Sequence, residues 1–158
     1  MKKILLIATG GTIASGYTVE GLTPQIAATQ MLQYVEEYKT FCEVDVTEPF
    51  SLDSTNIYGR HWLLLAGMIE ENYAAYDGFV ICHGTDTMAF TAAALSYLVQ
   101  NSSKPIVVTG AQKPISLPVT DARTNLLDSL RFAADSRAHG VNIVFGGKVI
   151  SGTRAKKE

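Results

Sequence analysis

The sequence predicts an α/β fold: a doubly wound, mostly parallel sheet with helices on both faces, of the flavodoxin or Rossmann kind. Three observations predict it. Short apolar, β-branched runs alternate along the chain with stretches of helical periodicity. Two of these runs break off into glycine and hydroxyl residues, at Ala8-Thr9-Gly10-Gly11-Thr12 and at Cys82-His83-Gly84-Thr85-Asp86. The 158 residues, 47% of them hydrophobic, suit one domain with a large core.

Met1-Lys2-Lys3 followed by Ile4 to Ala8 imitates a signal peptide. That apolar run is shorter than the ~7 residues such a segment needs and leads straight into Thr-Gly-Gly, so residues 3–8 read as a first strand. Residues 15–23, with Gly16 and Gly21, read as a mobile loop over the crevice. A helix is expected over 25–38, capped by Thr23 with Pro24 in its first turn. A strand over 42–47 follows, then a helix over 57–73 whose Trp62, Leu63, Leu64, Leu65 and Met68 read as its core-facing surface. The pattern continues with a strand at 78–82, a helix at 88–99, a strand at 105–109 and a helix at 119–134 capped by Thr120 or Asp121. A strand at 141–145 completes the parallel set. Gly146-Gly147, between Val144-Phe145 and Val149-Ile150, then predicts a hairpin at the C-terminal edge.

Composition narrows the function classes. The net charge is −2 and lysines and arginines are scattered, except at Lys156-Lys157, so nothing points to nucleic acid. No run approaches the ~18 apolar residues of a membrane span. Cys42 and Cys82 stand in strand-like contexts far apart, as core thiols in a reducing cytoplasm would. Together with His61, His83 and His139 they show no metal-ligand spacing, which argues against zinc. Gly10-Gly11 opens neither a G-x-G-x-x-G pattern nor a Walker Gly-Lys-Ser/Thr, so a nucleotide-phosphate loop has little support.

In an open parallel sheet, loops leaving the carboxyl ends of the strands gather at one edge. Four such loops then share a crevice: Gly10–Thr12, Leu52-Asp53-Ser54-Thr55-Asn56, Gly84–Thr87 and Gly110-Ala111-Gln112. Their hydroxyls and carboxylates suit a small zwitterion, whose ammonium pairs with Asp86 or Asp53 while its carboxylate takes hydroxyl and backbone N–H donors. Asp53 and Ser54 equally suit an Asx turn or cap ahead of the second helix. His83 has two readings as well, a general base beside Thr85-Asp86 or a structural imidazole bonded to backbone.

Thr9-Gly10-Gly11-Thr12-Ile13 and the segment from Tyr76 to Ala89, with His83-Gly84-Thr85-Asp86-Thr87-Met88 at its centre, closely resemble the two signature motifs of the L-asparaginase family. The likeness is greatest to its type I, cytoplasmic branch. Asp53-Ser54-Thr55, Val107 to Gln112, Asp121…Asn125-Leu126 and Gly152-Thr153-Arg154-Ala155-Lys156-Lys157 extend it over nearly the whole chain. The resemblance implies hydrolysis of the L-asparagine side-chain amide to L-aspartate and ammonia. Thr12 would be the nucleophile and Thr85 the second essential threonine, assisted by Asp86 and Lys157. Gly152, Arg154 and Lys157 match the family's Gly-x-Arg-x-x-Lys pattern, which selects Lys157 over Lys156. Ser54 and Thr55 would hold the substrate carboxylate, and Asp86 its ammonium. Tyr17, or Leu22 in its stead, occupies the place of a loop tyrosine that assists the nucleophile in relatives. On this view His83 is structural, and neither a metal nor an organic cofactor is involved.

A threonine hydroxyl needs its proton taken, and a buried Thr-Lys-Asp cluster lowers that cost. Backbone N–H groups of the glycine turns would receive the developing oxyanion, at about 3–4 kcal/mol per donor. Residues 1–158 thus read as the N-terminal, catalytic domain. Relatives continue into a smaller second domain and act as dimers or tetramers. The expectation is therefore an apolar surface left exposed and an activity that is latent in the domain alone. Two alternatives accompany this reading: a catalytically silent aspartate- or asparagine-binding module, and an asparaginase-like subunit of an amidotransferase that needs a partner protein.

Overall fold

Along Lys2–Ala8 (β1) successive side chains point to opposite faces of the sheet, and both faces are apolar. Ile4 and Leu6 pack into one core with Met31, Leu126 and Leu130. Leu5 and Ile7 pack into another with Leu65, Ile69 and Leu95. A strand buried on both sides belongs in the middle of a helix-covered parallel sheet. The computed structural model, which describes residues 1–158 apart from the side chain of Pro24, places it there.

Beside β1 lie Cys42–Thr47 (β4) and Gly78–Cys82 (β5), both parallel to it. Pro105–Thr109 (β6) and Gly140–Phe145 (β7) extend the parallel ladder, and Lys148–Ser151 (β8) closes the edge antiparallel to β7. The order is β4-β1-β5-β6-β7-β8. Its five parallel strands follow the flavodoxin order, and the chain reverses direction across the sheet at β1. The Gly146-Gly147 turn that joins β7 to β8 gives the predicted edge hairpin, with both glycines at positive φ.

Gly59–Asn72 (α2) and Met88–Leu98 (α3) cover one face, and Ala122–Ala134 (α4) covers the other with Ala28–Met31 (α1). The Thr120 hydroxyl accepts the Ala122 N–H at 3.0 Å and so caps α4. Asp121 accepts instead from the N–H groups of Gln112 and Lys113, at 2.9 and 3.0 Å, which fixes the loop after β6.

Two expectations about the first connection need correction. Residues 15–23 are not a bare loop: Ser15–Thr18 (β2) pairs antiparallel with Gly21–Pro24 (β3), turning at Gly21 with φ +107°. Because Thr23 and Pro24 are spent in that hairpin, they start no helix. The long helix expected over 25–38 is broken into α1 and two 3₁₀ turns, Leu32–Tyr34 and Glu36–Thr40. Ala28, Met31, Leu32 and Val35 are nevertheless all buried, so the apolar period is met without a regular helix. Val35, at φ −137°, interrupts the helix while keeping its side chain in the core. A third correction concerns α2, whose inward side is His61, Leu65 and Ile69, whereas Leu63 and Leu64 face solvent. Phe90, Tyr97 and Leu98 of α3 are exposed as well.

Cys42 and Cys82 are both free and buried, and burial pushes their thiols up to about 11 and about 12. Since the thiolate is the reactive form, neither should be alkylated by iodoacetamide in the native protein at pH 8, while both should react once denaturant is added. Mass spectrometry of the quenched mixtures reads the outcome.

Candidate functional site

At the carboxyl edge of the sheet the loops approach one another backbone to backbone. Gly10 and Gly11, just past β1, have φ of +108° and +90°. A Cβ on Gly10 would stand 2.6 Å from the Leu52 carbonyl oxygen, and one on Gly11 2.6 Å from the Gly84 nitrogen. A Cβ on Gly84 would in turn meet that of Ser54 at 2.7 Å, and Gly110 lies against the His83 carbonyl. Only glycine fits these four contacts.

Hydrogen bonds lace the same edge. Leu52 N–H donates to Thr9 O at 2.8 Å, Thr9 N–H to Cys82 O at 3.0 Å, and His83 N–H to Thr109 O at 2.8 Å. The Thr87 hydroxyl donates to Ser54 O at 2.6 Å. The four predicted loops thus form one wall, around a cleft of about 230 Å³ lined by Thr12, Asp53, Ser54, Thr85, Asp86 and Lys157. That is below the roughly 300–1,000 Å³ of pockets for drug-sized ligands and suits a small polar molecule. Ser15, Leu22, Leu52 and Gln112 complete the lining. Ser15 was missed in sequence because its contribution depends on the hairpin, where its hydroxyl donates to Gly11 O at 2.9 Å.

Lys157 arrives from the opposite side. Beyond β8, Gly152 N–H donates to Val141 O and Arg154 N–H to Ser151 O, a turn that carries the chain back across the cleft. The Lys157 ammonium nitrogen lies 3.0 Å from the Thr85 hydroxyl oxygen and 2.5 Å from Asp86 Oδ1. The expected burial of this cluster is not found, for the Lys157 and Asp86 side chains are 39% and 57% exposed. An ion pair this open adds only about 0–1 kcal/mol to stability, so its consequence lies in how it holds Thr85. Among the described residues, neither the Thr12 hydroxyl nor the N–H groups of Thr12 and Thr85 has a hydrogen-bond partner. The cleft therefore combines an unengaged hydroxyl, an amine on a second hydroxyl, two carboxylates and two free backbone donors. Such a set can bind a zwitterion and place a hydroxyl against an acyl carbon.

Asp53 serves as both of its expected roles allow: Oδ1 accepts the Thr55 N–H and hydroxyl, each at 2.9 Å, in an Asx-type cap, while the residue also lines the cleft. Thr55 itself is turned to Asp53 and is not part of the lining. Tyr17 stands opposite Leu22 in the hairpin, yet Leu22 lines the cleft and Tyr17, 64% exposed, does not. His83 is fully buried, with Nδ1 2.7 Å from Gly84 O and Nε2 2.7 Å from the Thr91 hydroxyl. Both ring nitrogens are engaged, so it is structural in this geometry and not a free base. Burial holds its pKa below the ordinary 6.5.

No helix among the described residues is long and apolar enough to cross a membrane. No cluster of three or more His, Cys, Asp or Glu side chains among them is placed to hold a metal ion.

Comparison with known proteins gives a consistent result. Residues 3–158 match the family described as Asparaginase, N-terminal. The chain is 37% identical to an L-asparaginase of Thermococcus kodakarensis over 98% of its own length and 47% of that relative. It is 34% identical to a glutamyl-tRNA(Gln) amidotransferase component of Pyrococcus abyssi, over 92% of the chain and 34% of the relative. The crystal structure of L-asparaginase I from Vibrio cholerae superimposes with a TM-score of 0.87 at 35% identity, covering 99% of this chain and 48% of that one. The chain thus spans about half the length of the L-asparaginases it matches.

Two outcomes follow from the geometry. Gly11→Ala forces a Cβ against the Gly84 nitrogen at φ +90°, and should lower stability by about 1–3 kcal/mol, read as a fall in the urea midpoint. His83 protonates less readily in the fold than in the unfolded chain, so its contribution to stability is complete above pH 6.5. It is lost as pH falls below that value and the unfolded state takes up the proton. Urea unfolding of the parent chain and His83→Gln at stepped pH should show a steeper acid loss in the parent.

Proposed function

Because the chain belongs to the asparaginase family, as its N-terminal domain, we propose that the cleft hydrolyses the side-chain amide of L-asparagine to L-aspartate and ammonia. The observation that carries this reading is the convergence of Thr12, Thr85, Asp86 and Lys157 on one polar cleft, with Lys157 bonded to both Thr85 and Asp86.

The substrate ammonium pairs with Asp86 and Asp53, and its carboxylate takes the Ser54 side of the cleft. Thr55 reaches that carboxylate by giving up its bond to Asp53. The Thr12 oxygen attacks the amide carbon, the carbonyl π electrons move onto oxygen, and the free N–H groups of Thr12 and Thr85 receive the negative charge. Collapse breaks the C–N bond as the proton given up by the Thr12 hydroxyl is delivered, by way of the Thr85–Lys157 pair, to the amide nitrogen; ammonia leaves and an aspartyl ester remains on Thr12. Water then adds to the ester carbon, one of its protons passes through the Thr85–Lys157 pair to the Thr12 oxygen as the acyl C–O bond breaks, and L-aspartate leaves with the Thr12 hydroxyl restored. Tyr17 enters this scheme only when the hairpin bends inward, since Leu22 occupies the lining in the present geometry. No metal or organic cofactor takes part. A cytoplasmic, homo-oligomeric enzyme acting on a small molecule is the setting that fits.

The Pyrococcus abyssi relative favours a second reading, an amidotransferase component that releases ammonia only beside a partner protein. A silent aspartate-binding module is the third possible result of the same experiment. Ammonia and aspartate release from L-asparagine should be detectable with the purified chain and slower with L-glutamine. Thr12→Ala should lower it about 10⁴-fold or more, and Lys157→Ala should do likewise. Turnover that survives Thr12→Ala would sink the mechanism. Folded protein that binds L-aspartate in calorimetry without turnover would favour the binding module or the partner-dependent component.

A further inference from the structure

We propose that half-buried Trp62 and buried Thr91 and His83 form a positioning relay that aims the Thr85 N–H into the cleft, so that side chains outside the cleft set the quality of its anion-binding donor. The direction of every bond in the relay follows from its groups once the buried ring is neutral, the form that its burial favours. An indole N–H can only donate, so Trp62 Nε1 gives its proton to the Thr91 hydroxyl at 3.0 Å. That hydroxyl has one proton, which goes to His83 Nε2 at 2.7 Å. A backbone carbonyl can only accept, so His83 Nδ1 carries the ring proton and donates it to Gly84 O at 2.7 Å. For the neutral ring the relay therefore specifies the Nδ1–H tautomer.

Its output is a peptide plane. The Gly84–Thr85 bond is trans and planar, so pinning the Gly84 carbonyl toward His83 points the Thr85 N–H the opposite way. That N–H has no acceptor among the described residues, and Thr85 lines the cleft. Without the pin, glycine would leave this peptide free to rotate, and a flip would present an oxygen where a negative charge must be held. Burial, which favours neutral His83, keeps the relay in the required protonation state. His83, Thr91 and Trp62 are thus positioning residues.

The catalytic consequence rests on the amide-hydrolysis reading; the geometry does not. ¹⁵N NMR of the parent chain reads the His83 tautomer, and protonated Nδ1 is expected; a protonated Nε2 overturns the inference without any variant. Thr91→Val removes the hydroxyl and Thr91→Ser keeps it. In Thr91→Val the Thr85 amide resonance and the indole N–H of Trp62, the chain's single tryptophan, should both move, while Thr91→Ser should leave both near their parent positions. A Thr85 amide that stays put in folded Thr91→Val overturns the relay, whether or not the chain has activity. Where asparagine is turned over, Thr91→Val should lower kcat about 10-fold or more with KM within about twofold, and Thr91→Ser should restore it. A rise in KM alone would also overturn the positioning role. If the parent hydrolyses nothing, the functional reading fails while the two NMR measurements still decide this one.

Discussion

The site exists because four loops can touch without side chains between them. Gly10 against Leu52, Gly11 against Gly84 and Gly110 against His83 are contacts in which backbone fills the space a Cβ would need, and at Gly84 the Ser54 side chain fills it. The result is that hydroxyls from loops far apart in sequence line a single small cleft. Everything else in the cleft presupposes this closeness, including the reach of Lys157 to Thr85.

Thr85 is held in two contrasting ways. From below, its preceding carbonyl is bonded to a buried neutral histidine, which rests on Thr91 and through it on Trp62. From above, its hydroxyl meets the half-exposed ammonium of Lys157, which Asp86 shares. The neutral bonds are shielded from water and salt, and they fix backbone orientation. The ionic contact is open to solvent and contributes little to stability, and it engages the hydroxyl rather than the backbone. The backbone and the hydroxyl of one residue are thereby held by different chemistries.

Much of this was legible in the sequence. Residues 78–82 and 105–109 are strands at the expected bounds, because fully buried parallel strands announce themselves as unbroken apolar runs; residues 42–47 also keep their bounds, but as a partly exposed edge strand in which Glu43 and Asp45 alternate with Val44 and Val46. The four loops were legible because parallel topology forces them to one edge. The failures have physical causes. Periodicity identified Ala28, Met31, Leu32 and Val35 as a buried face but could not show that Val35 leaves helical geometry. The hairpin over residues 15–24 has no apolar alternation to mark it, and the side chains its pairing carries toward the cleft, Ser15 and Leu22, depend on register. Leu63 and Leu64 looked like core because hydrophobicity alone does not say which side of a helix faces the sheet. The openness of the Lys157–Asp86 pair depends on how the turn after β8 is placed, which no local pattern encodes.

The placement of Lys157 also sets an order of assembly. Every other side chain of the cleft comes from residues 12–112, whereas Lys157 follows the last strand of the sheet. A polypeptide emerging from the ribosome therefore presents the hydroxyl wall and the carboxylates of Asp53 and Asp86 before it presents the amine. During that interval the cleft has its hydroxyls and carboxylates but lacks the cation that spans Thr85 and Asp86. Fraying of β8 in the finished protein would return it to the same state, leaving the central strands intact.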